Sequence, residues 1–218
     1  MSRAQLFYNL EARRASIMKI KTATFVFSQD INDATVGNFI ANLVSWAQSN
    51  EKAPLQIILN SGGGGVLAAI ALYEFIGVLQ ANGHNVTIAV MGRAGSAAAV
   101  VLQAADHRVI YPNSDLLIHA VFPISQSSGT VGTQVKAEVD RSESLTNRTF
   151  TILAARSCGK LTVESIDSKT GDRSKDWWVS AREALDFGMV DEVAGSRSSC
   201  DSEESAGDQA VDESGENS

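Results

Sequence analysis

Apolar positions along the chain follow two periods that take turns. Thr24-Phe25-Val26-Phe27 is a short run with strand character. Val36, Phe39, Ile40, Leu43, Val44 and Ala47 then recur at the spacing of one face of an amphipathic helix, and Asp33 stands where an N-cap is expected. Leu55 to Leu59 predicts a second strand. It runs directly into Asn60-Ser61-Gly62-Gly63-Gly64-Gly65 and a helical stretch from Val66 to about Gln80. Strand, glycine turn and helix make a β-α crossover unit, and the unit repeats. Val86 to Met91 is an apolar strand, Gly92-Arg93-Ala94-Gly95-Ser96 a turn, and Ala97 to Ala105 a helix so small and apolar that it belongs inside the molecule.

Two more short strands, Arg108–Ile110 and Leu116–Ile118, flank the turn Tyr111-Pro112-Asn113-Ser114. Val131, Val135, Val139, Leu145, Phe150 and Leu153 predict one helix from about Val131 to Arg156, longer than a small core needs, so it should protrude or reach a neighbour. Ser180-Ala181-Arg182-Glu183 is a capping box, Gly188 a helix stop, and Met189 to Val193 a last strand. Residues 1–21 read as an arm and 22–194 as one domain. From 195 to 218 the composition cannot offset its ordering entropy, which predicts a disordered acidic tail.

Charge sharpens this division. The tail, with Asp201, Glu203, Glu204, Asp208, Asp212, Glu213 and Glu216 against Arg197, carries all but one unit of the formal net charge of −7. The body is nearly neutral and holds no basic block, so nucleic acid is not an expected partner. Cys158 and Cys200 are too few for a disulfide framework and have no metal-ligand spacing, which fits a reducing compartment. No leader-like apolar stretch or membrane-spanning run is present. A cytoplasmic protein without membrane attachment, metal or cofactor is the expectation.

Two glycine-dependent turns that end neighbouring strands and begin helices gather backbone N–H groups at one end of a sheet, a place suited to negative charge. No Gly-Lys-Ser/Thr closes the glycine run, so it is not a nucleotide-binding loop of the Walker type. Ser96 stands at the start of the buried helix. There an oxyanion could receive hydrogen bonds from the N–H of Ala97 and from the glycine loop, with Gly64 as its expected donor. The bland reading of Ser96 is an N-cap. Of the three histidines, His84 and His107 lie in polar surroundings that predict solvated surface positions, whereas His119 leaves the apolar strand Leu116-Leu117-Ile118 partly shielded, as a base requires. Asp172 and Asp176 are both candidates for a carboxylate that orients the imidazole. Trp177 and Trp178 would anchor the chain beside Asp176 and so favour it.

At this point the residues carry a resemblance. Asn60-Ser61-Gly62-Gly63-Gly64, Met91-Gly92-Arg93-Ala94-Gly95-Ser96, Tyr111 through His119, and Lys175-Asp176-Trp177-Trp178-Val179-Ser180-Ala181-Arg182-Glu183-Ala184 with Phe187-Gly188-Met189-Val190-Asp191 resemble the Clp-type proteolytic subunit, in order, over roughly residues 22–194. The resemblance implies an α/β fold, the crotonase-like β-α superhelix with a protruding handle helix. It implies a serine endopeptidase with Ser96 as nucleophile, His119 as base and Asp176 as orienting carboxylate, Asp172 in reserve, and Gly64 with Ala97 as the oxyanion hole. It further implies polypeptide substrates, a ring-forming homo-oligomer of the double-heptamer type, an ATP-driven AAA+ unfoldase as a candidate partner, and a stretch over 122–132 that receives substrate as an added strand. Gly62 where the family has proline, Ala97-Ala98 after the serine, Ala120-Val121 after the histidine and a longer loop before Asp176 depart from the pattern.

Alternatives from other classes are a capsid-maturation protease of the same fold, a crotonase-type acyl-CoA lyase or hydratase, and a non-catalytic ring subunit. The acyl-CoA chemistry needs glutamates near the oxyanion hole, and no Glu occurs between Glu74 and Glu138.

Overall fold

The computed structural model describes residues 22–122 and 132–195. The predicted arm, most of the substrate-receiving stretch and nearly all of the acidic tail lie outside these residues. Largely apolar runs build β1 (Ala23–Phe27), β2 (Leu55–Ser61) and β3 (Val86–Gly95) into a parallel ladder, flanked by α1 (Asp33–Ala47) and α2 (Val66–Ala81). The central strands bury one set of residues completely, among them Phe27, Leu55, Ile57, Leu59, Val86, Ile88 and Val90. Phe25, Phe27, Phe39 and Trp46 meet edge to face between β1 and α1. Burial of a phenylalanine of this kind stabilises by about 1.5–3 kcal/mol. The cap of α1 is Asn32 rather than Asp33. Its side chain accepts from the Thr35 N–H at 3.0 Å, and Thr35 Oγ1 accepts from the Asn32 N–H in return.

The chain continues through α3 (Ala97–Leu102), β4 (His107–Ile110), β5 (Asp115–Ile118), α4 (Gly132–Arg156), α5 (Val163–Lys169), β6 (Trp177–Ser180), α6 (Ala181–Asp186) and β7 (Glu192–Val193). The seven strands form one sheet in the order β1-β2-β3-β4-β7, with β5 also paired to β3 and β6 to β5. Where the sequence predicts that β3 ends in a turn at Gly92, the strand goes on. Gly92 takes φ +100° and bends it, so that residues 87–90 pair with β4 while Arg93, Ala94 and Gly95 pair with β5. This split gives β3 a second set of neighbours and holds the end of β5 beside the Gly95–Ser96 junction. Among the described residues β5 and β6 are the antiparallel pair.

Four further elements differ from expectation. Helix α3 stops at Leu102 because the next turn tightens, with Gln103, Ala104 and Ala105 donating three residues back instead of four. Strand β7 begins only at Glu192, after the Gly188 turn at φ +68°. Strand β6 and helix α5 were not anticipated.

Arg108 is the polar anchor of this half. Nearly fully buried, it donates to Asp191, Gln103 Oε1 and the carbonyls of Arg156 and Gly188, tying β4 to the ends of α3, α4 and α6. Burial alone would raise the Asp191 carboxyl. Hydrogen bonds from the Arg108 guanidinium and backbone N–H, with the charges of Arg108 and His107, outweigh it and hold the group below the usual carboxylate range. No helix among the described residues is long and apolar enough to cross a membrane.

Candidate active site

Strands β2 and β3 each hand the chain to a helix at the same end of the sheet, and their two connecting turns pack backbone against backbone. A Cβ placed on Gly63 would lie 2.6 Å from the Gly95 carbonyl oxygen and 2.8 Å from Ser96 Cβ, and one on Gly95 would lie 2.8 Å from the Gly62 carbonyl oxygen. Absence of side chains at 63 and 95 is what lets the glycine loop touch the serine turn. Ser96 itself takes φ +52°, ψ −121°, a conformation that costs a non-glycine residue about 1–3 kcal/mol. It makes no cap hydrogen bond with its side chain, so the bland N-cap reading fails, and its hydroxyl is left for other work. Its N–H donates to the Leu117 carbonyl at 2.6 Å, which fastens the turn to β5 two residues before His119.

Ser96 and His119 line the same cavity, about 470 Å3, bounded by the glycine loop, the start of α2, Val121, Phe122 and the α4 residues Arg141 and Leu145. A small inner recess, walled by Val100, Ile118, Thr149, Phe150 and Leu153, joins the same two residues. The segment after β5 is pinned there by the Val121 N–H donating to Thr146 Oγ1 on α4 at 2.9 Å. His119 is half-buried and stacks on Phe122, ring centres 5.2 Å apart at 19°. Its Nδ1 lies 2.6 Å from the Ala120 carbonyl oxygen. A carbonyl only accepts, so this contact calls for the proton on Nδ1 and leaves Nε2 as the nitrogen through which the ring can act as a base.

The other expected residues fall as follows. The N–H groups of Gly64 and Ala97 donate to no acceptor among the described residues, and Gly64 itself lines the cavity. Gly64 at φ +139° sits so close to Ile31 that a Cβ would lie 2.2 Å from the Ile31 carbonyl oxygen. Asp176 is exposed, directly before β6. The antiparallel ladder ends with Leu117 paired to Trp178 and Ile118 to Trp177; continued by one residue, the same register would bring Asp176 opposite His119. Asp172 belongs to a separate exposed turn at φ +53°, beside an Arg173–Asp167 ion pair. Neither carboxylate lines the cavity, and the imidazole proton rests on Ala120 instead.

The remaining histidines correct the sequence reading in part. His84 is buried, with Nδ1 2.9 Å from the Ala53 carbonyl oxygen and its ring against Trp46. His107 is half-exposed and bonded to Glu192 at 3.0 Å. Sequence reasoning missed Gly63, the Ala120 carbonyl and Arg141 as parts of the site, while Phe122, the first residue of the stretch expected beside it, does line the cavity. Only Gly63, inside the glycine run, left a signal that could have been read.

The chain matches the Clp protease family over residues 11–197. It belongs to that family, whose proteolytic subunits are serine peptidases, and so to the serine-type hydrolases. Among curated proteins it is 28% identical over 176 residues to an ATP-dependent Clp protease proteolytic subunit 2 from Chlamydia pneumoniae, covering 80% of this chain and 81% of that one. It is 27% identical over 179 residues to the protein of the same description from Chlamydia trachomatis serovar D, covering 81% and 83%. A solved ClpP1 mutant from Listeria monocytogenes superposes with a TM-score of 0.66 at 24% identity, covering 80% of this chain and 92% of that one. The fold is therefore the ClpP type, and the acyl-CoA reading is set aside. Polypeptide substrates and oligomeric assembly follow from the family.

Proposed function

We propose that the chain is the proteolytic subunit of a self-compartmentalised protease in which Ser96, His119 and Asp176 form the catalytic triad and the Gly64 and Ala97 N–H groups form the oxyanion hole. The observation behind the assignment is a strained serine, at a strand-to-helix junction, sharing one cavity with an imidazole whose Nε2 has no partner among the described residues. Ser96 Oγ attacks the peptide carbonyl as His119 Nε2 takes its proton. The two N–H groups hold the tetrahedral oxyanion, and His119 then protonates the leaving amine. Water hydrolyses the acyl-enzyme by the same steps in reverse order of roles.

Asp176 is favoured over Asp172 by its register opposite His119. A carboxylate there would replace the Ala120 carbonyl as acceptor of the Nδ1 proton and stabilise the imidazolium as it forms. Assembly as a double heptameric ring, delivery of unfolded chains by an ATP-driven unfoldase and a cytoplasmic location belong to the same proposal. Helix α4 supports it: 25 residues span roughly 38 Å, and Val135 and Val139, one turn apart on it, are exposed.

Hydrolysis of a fluorogenic peptide and of an unfolded protein by the assembled chain tests the proposal. Ser96→Ala and His119→Ala should each abolish peptide cleavage, and ATP with an unfoldase should be needed only for folded substrates. Undiminished cleavage by Ser96→Ala would reject it.

A further inference from the structure

We propose that Arg141 makes the active-site cavity selective for peptides with a carboxylate side chain beside the scissile bond; the proposal rests on the reading of Ser96 as nucleophile. Helix α4 forms one wall of that cavity. Arg141 and Leu145, four residues apart and therefore on one helix face, line its outer part, and Thr149 and Leu153 continue the same face into the recess beside Ser96 and His119. The wall thus runs from apolar near the nucleophile to cationic roughly 12 Å further along.

The cation there is uncommitted. Arg108, Arg173 and Arg182 pair with Asp191, Asp167 and Asp186, whereas Arg141 has no ion pair or hydrogen bond among the described residues. Asp33 is the other formally charged residue on the cavity wall. It stands at the first residue of α1, where the helix N-terminus already favours its negative charge. The two charges sit on different elements and form no ion pair with each other among the described residues, which leaves the guanidinium on the α4 side to meet an anion. A glutamate side chain suits this arrangement. Its methylenes can lie on Leu145 and Val121 while its carboxylate meets the guanidinium fork. Glutamine, equal in shape, lacks the charge and is the proper comparison.

The test uses the full chain in its assembled form and otherwise uncharged peptides carrying Glu, Gln or Lys at each of the two positions on either side of the cut bond. At one of these positions the wild type should favour Glu over Gln in kcat/KM by about five- to tenfold, as for a charge-assisted pair in a partly open site. Arg141→Gln should bring the ratio to about one. Arg141→Lys should keep much of it, and Arg141→Glu should favour Lys instead. Added salt should shrink the wild-type ratio. Each ratio is taken within one variant, so a general loss of activity cancels, and fluorescence anisotropy of the same peptides on Ser96→Ala gives the ratio for binding alone. A wild-type ratio of one at all four positions, a ratio unmoved by Arg141→Gln, or a wild-type preference for Lys would each overturn the proposal while cleavage continued. Cleavage surviving in Ser96→Ala would instead remove the reading beneath it.

Discussion

Gly63→Ala probes the contact on which the site is built. The residue sits at φ +103°, where an alanine is strained by about 1–3 kcal/mol. Its Cβ would begin 2.6 Å from the Gly95 carbonyl oxygen, 2.8 Å from Ser96 Cβ and 3.2 Å from the Ala97 nitrogen, whereas ordinary contact begins at 3.4 Å. The obstacles are mostly backbone, which no rotamer change can clear, so the serine turn and the glycine loop must separate by about 0.8 Å, the shortfall at the tightest contact. Strain and overpacking, about 1–3 kcal/mol each, together predict a loss of about 2–6 kcal/mol of stability. The displaced hydroxyl and oxyanion donors predict a fall of about 100-fold in kcat/KM, as for an ångström-scale misplacement. The assay pairs denaturant unfolding with peptide kinetics at a temperature where the variant stays folded. Gly37→Ala in α1 is the control. Its Cβ meets nothing within 4 Å, so it should gain about 0.5–1 kcal/mol and leave kcat/KM alone. A Gly63→Ala enzyme within threefold of wild type would refute the reasoning.

Other outcomes follow from the same geometry. Asp176→Asn should lower kcat by about 100-fold or more, less than in a triad whose carboxylate alone fixes the tautomer, because the Ala120 carbonyl still holds Nδ1; Asp172→Asn should leave kcat within twofold. Equal losses in steady-state kinetics would contradict the register argument. Asp191→Asn should destabilise by about 2–3 kcal/mol, below the usual figure for a broken buried pair because Asp191 is itself 34% exposed and asparagine still accepts one hydrogen bond. The folded-state pKa of Asp191 is depressed, so its contribution is fully present above about pH 4, the unfolded value, and is lost as pH falls through the folded one. The stability gap between wild type and Asp191→Asn should therefore narrow as pH falls below about 4; a gap that kept widening below that pH would show the pair to be misread.

That Ser96 and His119 would come to one cavity was legible because each follows a strand of strong apolar pattern, and cavities form where parallel strands end. What stayed hidden has physical causes. Asn32 and Asp33 are both competent caps and stand side by side, so only the hydroxyl of Thr35 three residues beyond Asn32 decides between them. Gly92 looks like punctuation, yet it bends β3 without ending it, since Arg93 to Gly95 find new partners in β5. The polar neighbours of His84 conceal that its ring lies under Trp46, a contact made across the fold. Helix α5 has one buried residue, Ile166, and so too little stripe to read. The acceptor holding His119 is a backbone carbonyl, which no side-chain pattern announces.

The central claim is that one hydroxyl, set apart by its backbone, does the chemistry. Treatment of the assembled chain with a fluorophosphonate, followed by peptide mapping, measures this most directly. The account predicts a single covalent adduct on Ser96, absent from Ser96→Ala and greatly slowed in His119→Ala. An adduct on another residue, or labelling of Ser96 that proceeds as fast without the imidazole, would contradict it.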